Sequence, residues 1–367
     1  MNILYITNHL NIGGITSYCL TLASGLKRKG HSVYIASSGG EMIHEFIKEG
    51  IRYIPIPIKT KKEISPKIIM CEFSLSGIIK ANNIQIIHSH SRTTQVLATL
   101  LSRRAHIPHV YTCHGYFKRR LLRRLFPCWG DKTIAISRQV KEHLVADFKV
   151  DERRITVIHN GIDVEKFSAD NSGSWHQVKK DLGLGSGPVI GIVARLSDVK
   201  GHKYLIQAMP QVLREVPDAQ LLICGDGKEK DNLVKLVDEL GVSKSVFFKP
   251  QAQGTQSVLS VMDVFVMPSL KEGLGLALME AMAAGVPVVG SNIGGIRTLI
   301  QADVTGLLAE PADCDGLSRV ILVLLKDSNK AQYLSDNARR FIREHFSKEQ
   351  MIRETEEVYA QCLSTKR

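Results

Sequence analysis

Short apolar runs alternate with longer stretches of helical period along the whole chain. The runs ILYIT (Ile3–Thr7), SVYIA (Ser32–Ala36), IQIIHS (Ile84–Ser89) and HVYTC (His109–Cys113) read as strands, as do Lys132–Ile136 and Ile155–Ile158. Between them, Ser17–Arg28 and Thr93–Arg104 repeat apolar residues at the spacing of an amphipathic helix. A second set follows: Val189–Ala194, Gln220–Cys224, Val246–Lys249, Val264–Met267 and Val286–Val289, again separated by helical stretches. Strands alternating with helices in this way predict parallel sheets with helices on both faces. Two successive sets predict an α/β chain of two doubly wound, Rossmann-like domains, over 1–170 and 188–344. A polar, glycine-rich linker would span 171–187. The tail Asn337–Cys362 has helical periodicity.

This pattern says where chemistry belongs. In open parallel sheets, ligands sit beyond the carboxyl ends of the strands. The unusual residues fall there: Asn8–Gly14, His88-Ser89-His90, His114-Gly115, Arg195–Gly201, Gly225-Asp226-Gly227 and Ser269–Gly275.

The richest stretch is KEGLGLALMEAMAAGVPVV, 271–289. Glycines 273 and 275 let a ligand approach the main chain, and the helix start behind them offers unpaired N–H groups suited to phosphate. A carboxylate would repel phosphate, so Glu272 and Glu280 suit hydroxyl groups such as those of sugars and ribose. Taken alone, the stretch also fits a surface loop with two solvated glutamates.

In ARLSDVKG, Arg195 follows a strand directly and Lys200 stands five positions on; a rigid fork and a flexible ammonium from one loop can grip a diphosphate. Gly13-Gly14 precedes an amphipathic helix but is not a dinucleotide fingerprint. The histidines of IHSHS and TCHG lack acidic or cysteine partners at ligand spacing, so no metal site is expected, and His114 reads as a hydrogen-bonding group at a strand end. The aspartates of ADCDG (312–316) read as helix caps.

Composition narrows the class. With 367 residues and 44% hydrophobic content, each half can bury a core. Seven scattered cysteines contain no C-x-x-C pair, no apolar run is long enough for a membrane span, and the N-terminus lacks a secretory pattern, so a cytoplasmic setting is expected. Charge is uneven. Residues 1–170 hold 25 Lys+Arg against 13 Asp+Glu, a net of +12, whereas 171–367 hold 23 against 23. A one-sided basic surface suits an anionic partner. FKRRLLRRLF (117–126) sharpens this: Phe117, Leu121, Leu122, Leu125 and Phe126 fill one helical arc and Arg119, Arg120, Arg123 and Arg124 the opposite one. With Lys118, such a segment suits an anionic membrane surface, or else packs its apolar arc on the core.

Taken in order, these residues resemble the retaining glycosyltransferases of the GT-B fold, of the family 4 (group 1) type. The likeness spans nearly the whole chain: the Gly13-Gly14 loop, His114-Gly115, NGID with Phe167, ARLSDVKG, Gly225-Asp226-Gly227 and, most specifically, Glu272 and Glu280 in EGLGL…EAMAAGVPVV. The resemblance implies two domains facing each other across a cleft, with a C-terminal helix of about 345–367 packing back on the first. It implies a nucleotide-sugar donor, UDP- or GDP-linked, and neither metal nor other cofactor. Arg195, Lys200 and the amides of Gly273, Leu274, Gly275 and Leu276 would hold the donor diphosphate. Glu280 would hold the ribose, and Gly13 and Gly14 would form the donor–acceptor loop. His114 and Glu272 would face the donor sugar as the catalytic pair. The acceptor would be lipid-linked or a lipopolysaccharide or cell-envelope glycan, met at the inner face of the cytoplasmic membrane. Three positions depart from the family pattern: Leu274 for a frequent Phe, Thr298 for a frequent Glu, and Phe248-Lys249-Pro250 where a glycine often stands; these bear on the choice of base and sugar. Competing readings are a soluble transferase on a small acceptor, a GT-B epimerase, and a basic nucleic-acid-binding protein. Against the last, no RNA or DNA module is recognisable and aromatics do not interleave with the basic residues.

Overall fold

A computed structural model describes residues 1–58, 65–119, 123, 126–168, 175–250 and 255–365. The chain divides into two compact units: Met1–Gly161 with Lys348–Arg367, and Ile162–Ser347.

The first unit is built on seven parallel strands: β1 (Asn2–Ile6), β2 (Ser32–Ser37), β3 (Arg52–Pro55), β4 (Ile86–Ser89), β5 (His109–Cys113), β6 (Lys132–Ala135) and β7 (Ile155–Val157), in the order β3-β2-β1-β4-β5-β6-β7. Strand alternation sends Ile3, Tyr5 and Ile35 to one face and Leu4, Ile6 and Tyr34 to the other; both faces are buried, which is why these runs carry no polar alternation. Helices Pro66–Ala81 and Arg92–Ala105 cover the second face. Helix Gly14–Arg28 covers the first, together with the C-terminal helix Lys348–Thr365. Gly25 makes that pairing close: a Cβ there would stand 2.0 Å from Ile352 Cδ1. Met351, Ile352, Val358 and Tyr359 of the C-terminal helix enter this core, each burial worth about 1.5–3 kcal/mol.

The second unit has six parallel strands: β8 (Val189–Val193), β9 (Gln220–Cys224), β10 (Val246–Lys249), β11 (Val264–Met267), β12 (Val288–Ser291) and β13 (Leu307–Ala309), in the order β10-β9-β8-β11-β12-β13. One core cluster joins Ile190, Leu221, Val264 and Val289 of the sheet to Leu205 and Met209 of helix His202–Glu215 and to Leu317 and Ile321 of helix Cys314–Lys326.

The strand order fixes where each sheet can bind. Both orders reverse direction once, between β1 and β4 in the first unit and between β8 and β11 in the second. Loops leaving these neighbours diverge to opposite faces and leave a crevice at the carboxyl edge.

Three boundaries differ from those expected. The first unit ends at Gly161, not 170. The stretch expected as linker contains the helix Trp175–Asp181, which belongs to the second unit; residues 171–174 lie outside the described residues. The periodic tail is two helices, Ser328–His345 and Lys348–Thr365, broken at Phe346-Ser347 where the chain returns to the first unit. Both crossings lie side by side, the Ile162 amide donating to the Phe346 carbonyl at 3.0 Å.

Candidate functional site

At the β8/β11 switch point two loops are locked together. The loop after β8 carries Arg195 to Gly201, and the loop after β11 carries Pro268 to Gly275. The Leu270 amide donates to the Val199 carbonyl at 2.8 Å. Gly201, at φ +72, lies so close to the second loop that a Cβ would stand 1.9 Å from the Pro268 oxygen. A third loop, Gly225-Asp226-Gly227 after β9, supports the first: the Leu196 amide donates to the Asp226 carbonyl at 3.0 Å, and Cβ atoms on Gly225 and Gly227 would meet the Ala194 and Leu196 carbonyls at 2.0 and 2.1 Å. The glycines of this region are therefore required by close approach of backbone to backbone.

That framework brings Lys200 and Glu272 together. Lys200 Nζ lies 2.5 Å from Glu272 Oε2, with side chains only 22% and 12% exposed. The other carboxylate oxygen, Oε1, accepts from the Gly273 amide at 3.1 Å. The sequence assigned Gly273 to the diphosphate and Lys200 and Glu272 to different parts of a donor; here the three groups form one unit. A charge-assisted hydrogen bond from a half-buried ammonium fixes both side chains. Arg195, at the start of the same loop as Lys200, is exposed. Behind Glu272, Gly275 takes φ +95 as the cap of helix Leu276–Ala284, whose Leu278, Met279, Ala281, Met282 and Ala283 are buried. The helix thus points its unpaired N-terminal amides, those of Leu276 among them, at this loop. Leu274 is fully buried, so its contribution is packing and backbone. Gly295 admits the neighbouring turn, since a Cβ there would stand 2.3 Å from the Glu272 carbonyl oxygen.

Glu280 lies on the same helix and accepts a hydrogen bond from Thr255 Oγ1 at 2.6 Å. Burial pushes its carboxyl above the ordinary value; the Thr255 hydrogen bond and the Lys166 charge act in the opposite direction. The folded state therefore holds this proton more tightly than the unfolded chain. Its contribution to stability is full below the unfolded value and is lost as pH rises through the raised folded value. Glu280→Gln removes that loss. Its melting temperature, relative to the parent's, is expected to improve from pH 4 to pH 7; a difference independent of pH would contradict the buried carboxylate.

In the first unit the carboxyl edge carries a chain of aromatic and imidazole groups. His88 and His90 end β4, and His114 follows β5. His88 Nδ1 lies 2.5 Å from Tyr359 Oη and its Nε2 lies 2.7 Å from Thr112 Oγ1, while Tyr359 donates to Tyr5 at 3.1 Å. His90 Nδ1 lies 3.3 Å from His114 Nε2, and the His114 ring packs edge-on to Tyr18 at 4.8 Å. Burial holds all three imidazoles below their ordinary value, His114 down at about 3. His114 is half-buried, whereas His88 and His90 are inside. His114 is therefore a neutral hydrogen-bonding group at physiological pH. The partners Tyr5, Tyr18, Thr112 and Tyr359 had no sequence signal of their own, since they meet only once β1, β5 and the terminal helix are assembled. Gly13 and Gly14 lie at the start of helix Gly14–Arg28, after β1.

Of the basic segment, residues 117–119, 123 and 126 are described, and Arg123 is not on the exposed arc expected of it. Arg120, Leu121 and Arg124 lie outside the described residues, as do Leu122 and Leu125. Arg123 is 7% exposed, its guanidinium 4.2 Å above the Phe117 ring, and the Phe117 amide donates to His143 Nε2 at 3.0 Å. Arg123 and Phe117 therefore bind each other as a cation–π pair instead of presenting to a bilayer. Lys118 and Arg119 are exposed, and Arg119 pairs with Asp147. In ADCDG, Asp313 Oδ1 accepts from the Gly316 amide at 2.8 Å as a helix cap. Among the described residues no three His, Cys, Asp or Glu side chains converge as a metal-ligand set, and no helix is long and apolar enough to cross a membrane.

Two family models match the chain, one to each half: Glycosyltransferase Family 4 over residues 12–166 and Glycosyl transferases group 1 over residues 176–341. An uncharacterized glycosyltransferase of Methanocaldococcus jannaschii is 29% identical, covering 95% of this chain and 94% of that protein. The UDP-Gal:alpha-D-GlcNAc-diphosphoundecaprenol alpha-1,3-galactosyltransferase of Escherichia coli is 28% identical over 88% of this chain and 87% of that protein. Among solved structures, Anabaena HepE in complex with UDP and glucose matches with a TM-score of 0.87 at 21% identity, over 98% of this chain and 99% of that one.

Proposed function

The chain belongs to the group 1, family 4 glycosyltransferases of GT-B fold, and from that premise we propose that it moves a sugar from a nucleoside-diphosphate donor to a lipid-linked or cell-envelope glycan acceptor at the membrane surface, retaining the anomeric configuration. The observation that carries this reading is the Lys200–Glu272 pair, held by two loops at the switch point of the second sheet, with a helix N-terminus behind Glu272 and Arg195 exposed on the Lys200 loop.

The chemistry follows from these groups. The donor's anomeric C–O bond breaks and its electron pair leaves with the diphosphate. Arg195, Lys200 and the amides of Leu274 to Leu276 stabilise the charge that grows there. They supply the positive charge that a divalent cation could otherwise supply, so transfer is proposed to need none. The acceptor hydroxyl attacks the sugar from the face the diphosphate leaves, and the departing phosphate oxygen takes its proton. Glu272 and Glu280 then act as hydroxyl acceptors, towards the sugar and the ribose, and not as a glycosidase acid–nucleophile pair. His114 faces the sugar as a neutral hydrogen-bonding group. The lipid-linked acceptor is supported by the Escherichia coli relative, whose name specifies a diphosphoundecaprenol-linked substrate. Membrane-surface action at the cytoplasmic face is supported by the net +12 of residues 1–170, with Lys118 and Arg119 exposed.

The test is nucleoside-diphosphate release from a panel of UDP-, GDP- and ADP-sugars. It is run without metal, with polyprenyl-diphosphate-linked GlcNAc in anionic vesicles or with a short soluble analogue. One donor is expected to support release that depends on the vesicle-borne acceptor, and NMR of the product is expected to show the donor's anomeric configuration. Turnover of the soluble analogue alone would replace the membrane acceptor with a small one. Failure of every donor to bind or react would remove the transferase assignment.

A further inference from the structure

His90 Nδ1 meets His114 Nε2 at 3.3 Å, while His90 Nε2 is buried with no hydrogen-bond partner. From this contact and this orphan atom we infer that His90 is a positioning residue that fixes His114 as its Nδ1–H tautomer, so that His114 offers a hydrogen-bond donor, and not a base, to the donor sugar. The functional half of this inference rests on the reading that His114 faces the sugar; the tautomer itself does not.

The argument is one of satisfying protons. A neutral imidazole carries one N–H and one lone pair. If His114 Nε2 carried the proton and donated to His90 Nδ1, the His90 proton would sit on Nε2, a buried N–H with nothing to receive it. If instead His90 Nδ1–H donates to His114 Nε2, the orphan at His90 is only a lone pair. Buried unpaired N–H groups are rarer and costlier than under-satisfied acceptors. The second arrangement therefore wins, and it leaves the His114 proton on Nδ1, an atom without a partner among the described residues on a ring that is half-buried.

The surroundings keep both rings neutral. His114 is held at about 3 and His90 well below its ordinary value by burial. From the adjoining elements, Tyr5 on β1, Tyr18 on helix Gly14–Arg28 and His88 on β4 face the pair. Tyr5 and Tyr18 are pushed up and His88 down, so none is charged near neutrality. Ring contacts of His90 with Tyr5 and Tyr18, at 5.2 and 5.7 Å, keep its plane in place.

Long-range ¹H–¹⁵N correlation NMR of histidine-labelled protein reads the tautomer without any donor present. The parent is expected to show His114 protonated at Nδ1 from pH 6 to 8. His90→Phe keeps an aromatic ring but no donor; His114 is expected to revert to the Nε2–H form that a free imidazole prefers. With the best donor, kcat is expected to fall about tenfold with KM within about twofold. His90→Asn, which places an amide N–H near the lost Nδ1–H, is expected to restore both readouts. An Nε2–H signal for His114 in the parent, or an unchanged tautomer in His90→Phe, overturns the inference. Full activity of His114→Ala beside the expected tautomer signals would instead remove the sugar-facing role of His114 and leave the hold of His90 on its proton intact.

Discussion

Lys200→Ala is expected to lower kcat/KM about 10²–10³-fold, equivalent to about 2.7–4 kcal/mol of transition-state stabilisation. The ammonium is the cation fixed most firmly at the switch point: it is 22% exposed and held 2.5 Å from Glu272 Oε2. The proposed reaction generates its negative charge on the diphosphate as the sugar departs, and a preorganised cation in a partly desolvated site needs no rearrangement to meet that charge. Removing it has a second consequence. Glu272 keeps the Gly273 amide but loses its counter-ion, and an uncompensated carboxylate in that position is expected to cost about 1–3 kcal/mol of stability. The two consequences separate in a double-mutant cycle. Adding Glu272→Gln to Lys200→Ala removes the stranded charge, so the thermal midpoint should recover while kcat/KM stays low. Retention of kcat/KM within about threefold in Lys200→Ala would dismiss its role in the leaving of the diphosphate.

Why the Lys200–Glu272 pair was not legible beforehand is instructive. Each residue could be picked out from its own loop, since glycine turns and strand ends mark those loops. Their contact spans 72 residues of sequence and depends on β8 and β11 being neighbours, which is a property of sheet order. The apolar pattern predicts that strands exist, not which ones adjoin. The most legible strands were His109–Cys113, Gln220–Cys224, Val264–Met267 and the apolar edge strand Val246–Lys249, which have the expected bounds. The two strands without a forecast, Arg52–Pro55 and Leu307–Ala309, are both edge strands, β3 and β13. Paired on one side only, they are short, and β3 tolerates an arginine and a proline, so no continuous apolar run announces it. Val286–Val289 begins two residues later than expected, at Val288, because Pro287 has no N–H to give the ladder. The histidines show the same limit. A hydrogen-bonding His114 could be read from its place at a strand end, whereas the chain behind it rests on Thr112, Tyr5 and Tyr359, the last supplied by the far end of the sequence. For segment 117–126, helical spacing counted Arg123 among exposed cations, but a neighbouring ring offered its guanidinium a better place inside.

A larger structural effect is expected from a single methyl group. Gly201→Ala should lower stability by about 3–4 kcal/mol and kcat/KM about 100-fold. Two penalties coincide at this residue. Its backbone is left-handed, at φ +72, which by itself costs an alanine about 1–2 kcal/mol. Its Cβ would also stand 1.9 Å from the Pro268 carbonyl oxygen, well inside van der Waals contact, and backbone cannot swing aside as the end of a flexible side chain can. Relief requires the loops after β8 and β11 to part. The Leu270–Val199 hydrogen bond and the Lys200–Glu272 ion pair bridge those same loops. The methyl therefore disturbs the site although Gly201 contributes no side chain to it, and a misplacement of about 1 Å is enough to cost two orders of magnitude in rate. Gly183 provides the control within the same unit. It too is left-handed, at φ +69, but a Cβ there meets nothing within 4 Å. Gly183→Ala should incur the conformational penalty alone, with activity unchanged. Thermal melting and donor turnover of the two variants separate strain from collision. If Gly201→Ala melted with Gly183→Ala and turned over like the parent, the loops would not be held as closely as the reaction requires.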